Sequence, residues 1–535
     1  MRGHPPRKAN VPHLMTRWEK NPRLKDAALD RKMPIRQTLL RETLLHERRF
    51  GRPIDRDMDH EKDSDTAVSV PIYRFVQEEA VLDVSQPKNR NTLDIPFNAI
   101  LDLVLRKTLA EETTSLIRLS KSLGLSGGIL TEAFDELRGR KYLDVQGMSG
   151  NDYSFSLTTF GREEARNRFE MCQYSGIAPV SLDTYRQAVH LQKAALKVNR
   201  ESIRHAFSDL VVAGEMLDQL GPAFNSQHSI FFYGPAGTGK TSLAERLVRL
   251  YNDFIIVPRC VLVEGCYVVV YDPVVHEALA SQPVDLDPRW VACKRPLVVA
   301  GGELELESLS LTYDPVSSVY TAPLQVKANN GMFLIDDFGR QVMTPEQLLN
   351  RWIYPLVKRV DYLSLRTGVK FAMPFELMVI FSTNMEPEDL GDEAFFRRVK
   401  NKVFVGPVTE DQFGEILELA ARVESVTLTP DTFTTITRIC RERDPIGLRA
   451  NYPWDLSKMA KSICEYEERP TVLDPAILEA AARLYWAGTL KPKGSALRAT
   501  PPPAPPVPSE LDAVLEREMA AMTASSLPPA PVEAI

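Results

Sequence analysis

Sixteen residues, Ser229-Ile-Phe-Phe-Tyr-Gly-Pro-Ala-Gly-Thr-Gly-Lys-Thr-Ser-Leu-Ala244, leave this chain few ways to fold. Ile230 to Tyr233 are consecutive apolar residues, the pattern of a buried strand, and Leu243, Ala244, Leu247 and Val248 give a following helix its buried face. Between them Gly234, Pro235, Ala236, Gly237, Thr238, Gly239, Lys240 and Thr241 fit G-x-x-x-x-G-K-[ST]. Glycines at these positions let successive main-chain N–H groups turn toward one point, and the helix N-terminus adds positive dipole, an arrangement suited to phosphate oxygens. Lys240 adds a point charge for the β and γ phosphates, and the Thr241 hydroxyl is small enough to enter the coordination shell of magnesium.

Further along, Gly331-Met-Phe-Leu-Ile-Asp336-Asp337 runs four apolar residues straight into two carboxylates. In a phosphate site Asp336 holds the metal through its water shell and Asp337 polarises the attacking water. A second apolar run, Leu377 to Phe381, ends in Ser382-Thr383-Asn384, whose amide can orient that water. Asp392-Glu393-Ala394-Phe395-Phe396-Arg397-Arg398 then places two guanidinium groups ahead of the strand-like Val403 to Val405. Arginine suits transition-state charge because it stays protonated and bonds oxygens through a planar fork.

These four elements in this order resemble the AAA+ ATPase family, and the likeness covers roughly Phe207 to Trp486. The resemblance implies an α/β fold: a P-loop NTPase αβα sandwich with an all-α lid. It maps Gly234 to Thr241 onto Walker A, Asp336 and Asp337 onto Walker B, Asn384 onto sensor 1, and Arg397 or Arg398 onto the arginine finger. It also implies ATP and Mg2+ as cofactors and a homo-oligomeric ring, usually hexameric, in which the finger reaches the neighbouring subunit's site. Thr344-Pro345-Glu346-Gln347 reads as a capped helix start, with the helix ending near Pro355. Tyr362 to Met373 alternates on either side of Thr367-Gly368, a hairpin similar to that of the pre-sensor hairpin clade.

The chain departs from the family in three places. Asp337 stands where glutamate is common, although replication initiators, helicase loaders and transposition helpers of the group also use Asp-Asp. Trp454, in Asn451-Tyr-Pro-Trp-Asp-Leu456, stands where a sensor 2 motif has arginine, leaving Arg449 as a substitute or the contact absent. The span of 96 residues from Lys240 to Asp336 is long for the family. It holds strand-like Cys260 to Tyr271 and Leu297 to Ala300, and Tyr-Asp-Pro-Val occurs at 271–274 and again at 313–316. Either twin turns close paired strands there, or residues 255–325 form a client-binding insertion.

The full length of 535 residues predicts two to four folded units. Residues 1–90 read as a basic, largely disordered arm with order beginning near Ile95. Leu101, Leu105 and Leu109 mark one helix, Leu116 to Leu123 a second that ends at Gly124, and Ile129, Leu130, Ala133, Phe134 and Leu137 a third. Two short strands follow, Tyr142 to Val145 and Tyr153 to Leu157, joined by a polar turn. The pattern over 91–170 resembles an α+β winged-helix domain. Its third helix offers Glu132, Asp135 and Glu136 before Arg138, Arg140 and Lys141, and carboxylates there oppose phosphate, so protein docking or architecture is favoured over DNA. A helical connector over 171–220, with one continuous helix from Gln187 to Asn199, leads to a nucleotide-binding core at 221–407 and a lid at 408–490. Residues 491–535 read as a Pro-rich disordered tail around an amphipathic Leu511 to Met522.

A net charge of -6 excludes a surface built throughout for nucleic acid. No apolar run approaches the ~18 residues of a membrane span, and the N-terminus lacks the apolar core of a secretory signal, so a cytoplasmic protein is expected. Six scattered cysteines without a C-x-x-C pair read as reduced thiols. The expected function is an ATP hydrolase that remodels a protein partner. The alternatives are an ATP-gated DNA-binding regulator or transposition helper, and an ATP-binding switch with little turnover.

Overall fold

Short apolar runs with no polar side must be covered on both faces, and a parallel sheet between helical layers does this. In the computed structural model, which describes residues 74–77, 80–150, 152–193, 197–390 and 397–486, four such runs and one edge strand with only Val403 buried form one sheet. They are β1 (Ile230–Tyr233), β2 (Leu297–Ala300), β3 (Met332–Ile335), β4 (Met378–Thr383) and β5 (Asn401–Phe404). Their order is β2-β3-β4-β1-β5, with every neighbouring pair parallel.

Side chains alternate across the sheet, so neighbouring residues serve different layers. Phe231, Phe333, Ile335 and Phe381 meet Leu348, Leu349 and Trp352 of α2 (Pro345–Lys358) on one face. Phe232, Met332, Leu334 and Ile380 meet Leu243, Ala244 and Leu247 of α1 (Lys240–Leu247) on the other, together with Phe207 and Phe224. The result is a mixed α/β sandwich, a parallel sheet covered on both faces. A lid of four helices follows: α3 (Glu410–Glu424), α4 (Thr432–Arg443), α5 (Tyr452–Tyr466) and α6 (Pro475–Tyr485), packed around Phe413, Ile436, Leu456 and Leu478.

Strand β2 lies where the sequence suggests part of an insertion. The apolar signature of a buried parallel strand does not say which sheet it joins, and Leu297–Ala300 pairs with β3 throughout. The long span between Lys240 and Asp336 is therefore divided by a core strand. Its first part holds the antiparallel pair Phe254–Pro258 and Trp290–Lys294 and the hairpin Cys260–Val263 with Cys266–Val269. Its second part adds the hairpin Thr312–Asp314 with Val319–Thr321. Both copies of the repeated tetrapeptide make the same aspartate-capped turn, Asp272 Oδ1 accepting from the Val274 N–H and Asp314 Oδ1 from the Val316 N–H, each at 3.0 Å. Only the second closes a hairpin.

The segment expected as a connector is part of this β-rich block. Val180–Ser181 pairs with Val261–Leu262, and the helix Leu182–Leu191 buries Tyr185, Ala188 and Val189 against Ile255, Val257 and Val268. That helix stops at Gln192, whose side chain exchanges hydrogen bonds with the Ile256 backbone, and Asn199 caps a separate helix, Arg200–Ala206. The continuous helix expected over 187–199 is thus interrupted.

Towards the N-terminus, helices span Phe97–Glu111, Leu116–Leu123 and Gly127–Gly139, and strands span Leu143–Ser149 and Asp152–Leu157. A third strand, Thr113–Ser115, pairs with the last of these. Regular structure begins ahead of Ile95: Arg74–Gln77 pairs with Ala80–Asp83, and Val84 is buried in the β-rich block. The helical core continues into that block through Cys260 and Tyr267. Buried Arg106 donates to the Tyr267 hydroxyl at 2.7 Å and to the Cys172 carbonyl at 2.9 Å. Arg289, 4% exposed, pairs with Asp94 at 2.6 Å and Asp287 at 2.8 Å. Burial alone would raise the Asp94 carboxyl, but the Arg289 charge and the Ser181 N–H hold it below its ordinary value.

Two asparagines join block to sheet just ahead of β3. Asn329 donates to the Tyr185 hydroxyl at 3.0 Å and Asn330 to the Val189 carbonyl at 2.8 Å. Helix α2 has the expected capping box between Thr344 and Gln347 but continues through Pro355 to Lys358. Proline removes one helical hydrogen bond, and the buried Leu348, Leu349 and Trp352 hold the helix until Arg359 turns left-handed at φ 57°. The hairpin Val360–Ser364 with Lys370–Pro374 turns at Gly368. The sequence-predicted arm up to residue 73, the tail with Leu511 to Met522, and Asp392 to Phe396 lie outside the described residues.

Candidate nucleotide site

The loop from β1 to α1 needs its glycines for space and for backbone angle. A Cβ on Gly234 would lie 2.4 Å from the Val405 carbonyl, while Gly237 and Gly239 adopt φ of 77° and 96°. The N–H groups of Ala236, Gly237, Thr238 and Gly239 donate to no described residue. Such orphaned donors at a helix N-terminus favour an anion.

Lys240, in the first turn of α1, is only 6% exposed. Its ammonium donates to the Gly234 carbonyl at 2.9 Å, the Pro235 carbonyl at 2.8 Å and Asn384 Oδ1 at 2.7 Å. Burial pulls its pKa down to about 8, against the raising influence of Asp336 and Asp337. Beside it the Thr241 hydroxyl lies 2.9 and 3.0 Å from the two Asp336 oxygens. Adjacent oxygens of an octahedral magnesium shell, at ~2.1 Å from the ion, are separated by roughly the same distance, so this pair of hard oxygen donors fits that ion.

Because β4 lies between β1 and β3, its C-terminal end delivers Asn384 between the phosphate loop and the acidic pair. Asn384 Nδ2 donates to Asp337 Oδ1 at 2.9 Å. Asp337 itself has φ 48°, an uncommon left-handed conformation costing on the order of 1 kcal/mol. The turn is held by the Phe338 N–H on the Ser382 carbonyl at 2.7 Å and by Gln341 Nε2 on the Asp336 and Asp337 carbonyls at 2.9 and 3.2 Å.

Lys240, Thr241, Asp336, Asp337 and Asn384 thus meet in one cleft of about 720 Å³. Arg397 and Arg398 do not line it. Trp454 does, while Arg449 is held outside: its Nη1 donates to the Ala236 carbonyl at 2.9 Å, and its guanidinium pairs with Asp444. The Asn451 N–H also grips the loop, donating to the Gly237 carbonyl at 3.1 Å. Leu210, Val212, Met216, Val408, Ile416 and Trp454 supply apolar lining to the same cleft. Sequence reasoning missed these residues; their one signal was the apolar Val211-Val212 just before the helix Gly214–Asn225.

A family model described as a domain of unknown function, DUF8689, matches residues 409–484, the span of the four lid helices. No curated protein matches the sequence. Among solved structures, NtrX from Brucella abortus in complex with ADP is 14% identical, with a TM-score of 0.35 over 59% of this chain and 61% of that one. This chain therefore spans less than two thirds of the NtrX chain. The RuvB Holliday junction branch migration motor of Thermotoga maritima is 13% identical, with a TM-score of 0.30 over 57% of this chain and 72% of that one. No helix among the described residues is long and apolar enough to cross a membrane.

Proposed function

We propose that this chain is an ATP hydrolase that uses Mg2+ and couples turnover to the remodelling of a protein partner. The observation that carries the reading is the meeting of Lys240 and Thr241 with Asp336, Asp337 and Asn384 through contacts of 2.7 to 3.0 Å. The loop N–H groups and the Lys240 ammonium take the phosphate oxygens. Thr241 and Asp336 hold magnesium, which when bound neutralises charge on the β and γ phosphates. Asn384 orients water, and Asp337 accepts its proton as the oxygen bonds to the γ-phosphorus and the bond from that phosphorus to the β–γ bridging oxygen breaks, releasing ADP and phosphate.

Arg397 or Arg398 serves a neighbouring subunit's cleft in a homo-oligomeric ring, most simply a hexamer. The winged-helix-like unit, locked to the β-rich block, acts as the adaptor for a protein client. Glu132 and Asp135 are exposed on its third helix, which disfavours DNA there. Exchanging Asp337 for asparagine tests the reading. Asp337→Asn is expected to keep ATP affinity within about threefold and to lose about 100-fold or more of phosphate release. Turnover equal to wild type would remove Asp337 from the role of base.

A further inference from the structure

The cleft holds a cation that the sequence motifs leave unassigned. Arg340 follows Asp337 by three residues, and its side chain lines the cavity with Lys240, Asp337 and Asn384. The side chain is exposed, and its guanidinium makes no hydrogen bond or ion pair with any described residue. An arginine beside two aspartates would ordinarily pair with one, but Asp336 is engaged by Thr241 and Asp337 by Asn384.

The turn that carries Arg340 is firmly built. Asp337 at φ 48° and Gly339 at φ 103° reverse the chain, and the Arg340 N–H closes the turn on the Asp337 carbonyl at 3.0 Å. Gln341 accepts from the Gly339 N–H at 2.8 Å while donating to the carbonyls of both aspartates. Arg340 therefore moves with the acidic pair.

Charge balance says what it meets there. A magnesium-bound nucleoside triphosphate remains anionic, and the acidic pair adds to that charge. Lys240 is the other cation lining the cleft. Trp454 cannot supply a third, and Arg449 is committed outside to Asp444 and the Ala236 carbonyl. Lys240 is held by carbonyls of the glycine loop, where a diphosphate would lie, whereas Arg340 rides on the turn of the acidic pair, toward which a third phosphate would project.

We propose that Arg340 reads the γ-phosphate and so distinguishes a nucleoside triphosphate from a diphosphate, an assignment that rests on the nucleotide reading of the cleft. Calorimetric titration of the full chain with ADP and with a non-hydrolysable ATP analogue, both with Mg2+, tests it. Arg340→Ala is expected to weaken the analogue by about 10- to 100-fold, the range of a charge-assisted contact, and to leave ADP within about twofold. Arg340→Lys should recover part of the loss, and the thermal midpoint without nucleotide should not move. An unchanged ratio of the two affinities in Arg340→Ala, or an equal loss for both ligands, overturns the proposal. A wild-type chain that binds neither nucleotide sinks the underlying reading as well, a result distinct from wild type binding both with Arg340→Ala indifferent.

Discussion

The candidate nucleotide cleft and the N-terminal β-rich block solve opposite problems. In the cleft, polar groups are brought together and left partly unsatisfied: loop N–H groups donate to nothing described, and a lysine ammonium is buried among carbonyls. In the block, buried charges are paired with one another, as where Arg289 joins Asp94, 195 positions away in sequence, and Asp287. The first arrangement keeps free energy in reserve for a ligand, and the second fixes one rigid geometry. Substitutions should therefore separate activity from stability, depending on which region they touch.

Arg289→Met should show the largest stability effect. Removing the guanidinium strands two carboxylates, a loss of about 3–5 kcal/mol in chemical denaturation. ATP turnover below the melting transition should be nearly intact. A variant as stable as wild type would mean that the block is held by packing alone. The cleft should instead respond to proton concentration. With the Lys240 pKa near 8 in the free protein, well under the ordinary 10.5, its charge is present below that pH and is lost above it. Nucleotide binding favours the ammonium, so affinity should be level below pH 8 and fall by up to about tenfold per unit above it. Proton uptake on binding, measured in buffers of different ionisation enthalpy, should appear over that upper window. Its absence would show that the ammonium is not drawn to phosphate. Smallest is Thr344→Ala, which removes the cap of α2 and should cost about 1 kcal/mol in denaturation midpoint without altering nucleotide affinity.

The same contrast explains what could be read from the amino acids. Gly234 to Thr241, Asp336, Asp337 and Asn384 follow apolar runs, so local pattern sufficed to place each at the C-terminal end of a strand. Arg340 escaped because a lone arginine in a turn carries no signature until its cavity is known. The apolar lining of the cleft draws on residues 210–216, 405–419 and 450–454, none periodic in a way that announces a shared wall. Leu297–Ala300 read as a strand but not as a member of this sheet, since parallel pairing with β3 is a long-range fact. Helix Leu182–Leu191 and its stop at Gln192 were hidden for a similar reason: the Ile256 backbone that ends the helix lies 64 residues away.

The lid's hold on the outer side of the glycine loop has a mechanical corollary. Each peptide unit is a stiff plate, with the carbonyl of one residue and the N–H of the next on opposite edges. Arg449 grasps the plate whose far edge is the Gly237 N–H, and the Asn451 N–H grasps the plate whose far edge is the Thr238 N–H. A swing of the four helices tips both plates like seesaws and re-aims their inner edges. Movement of the lid and the aim of the loop's N–H groups are thereby geared together through two amide groups.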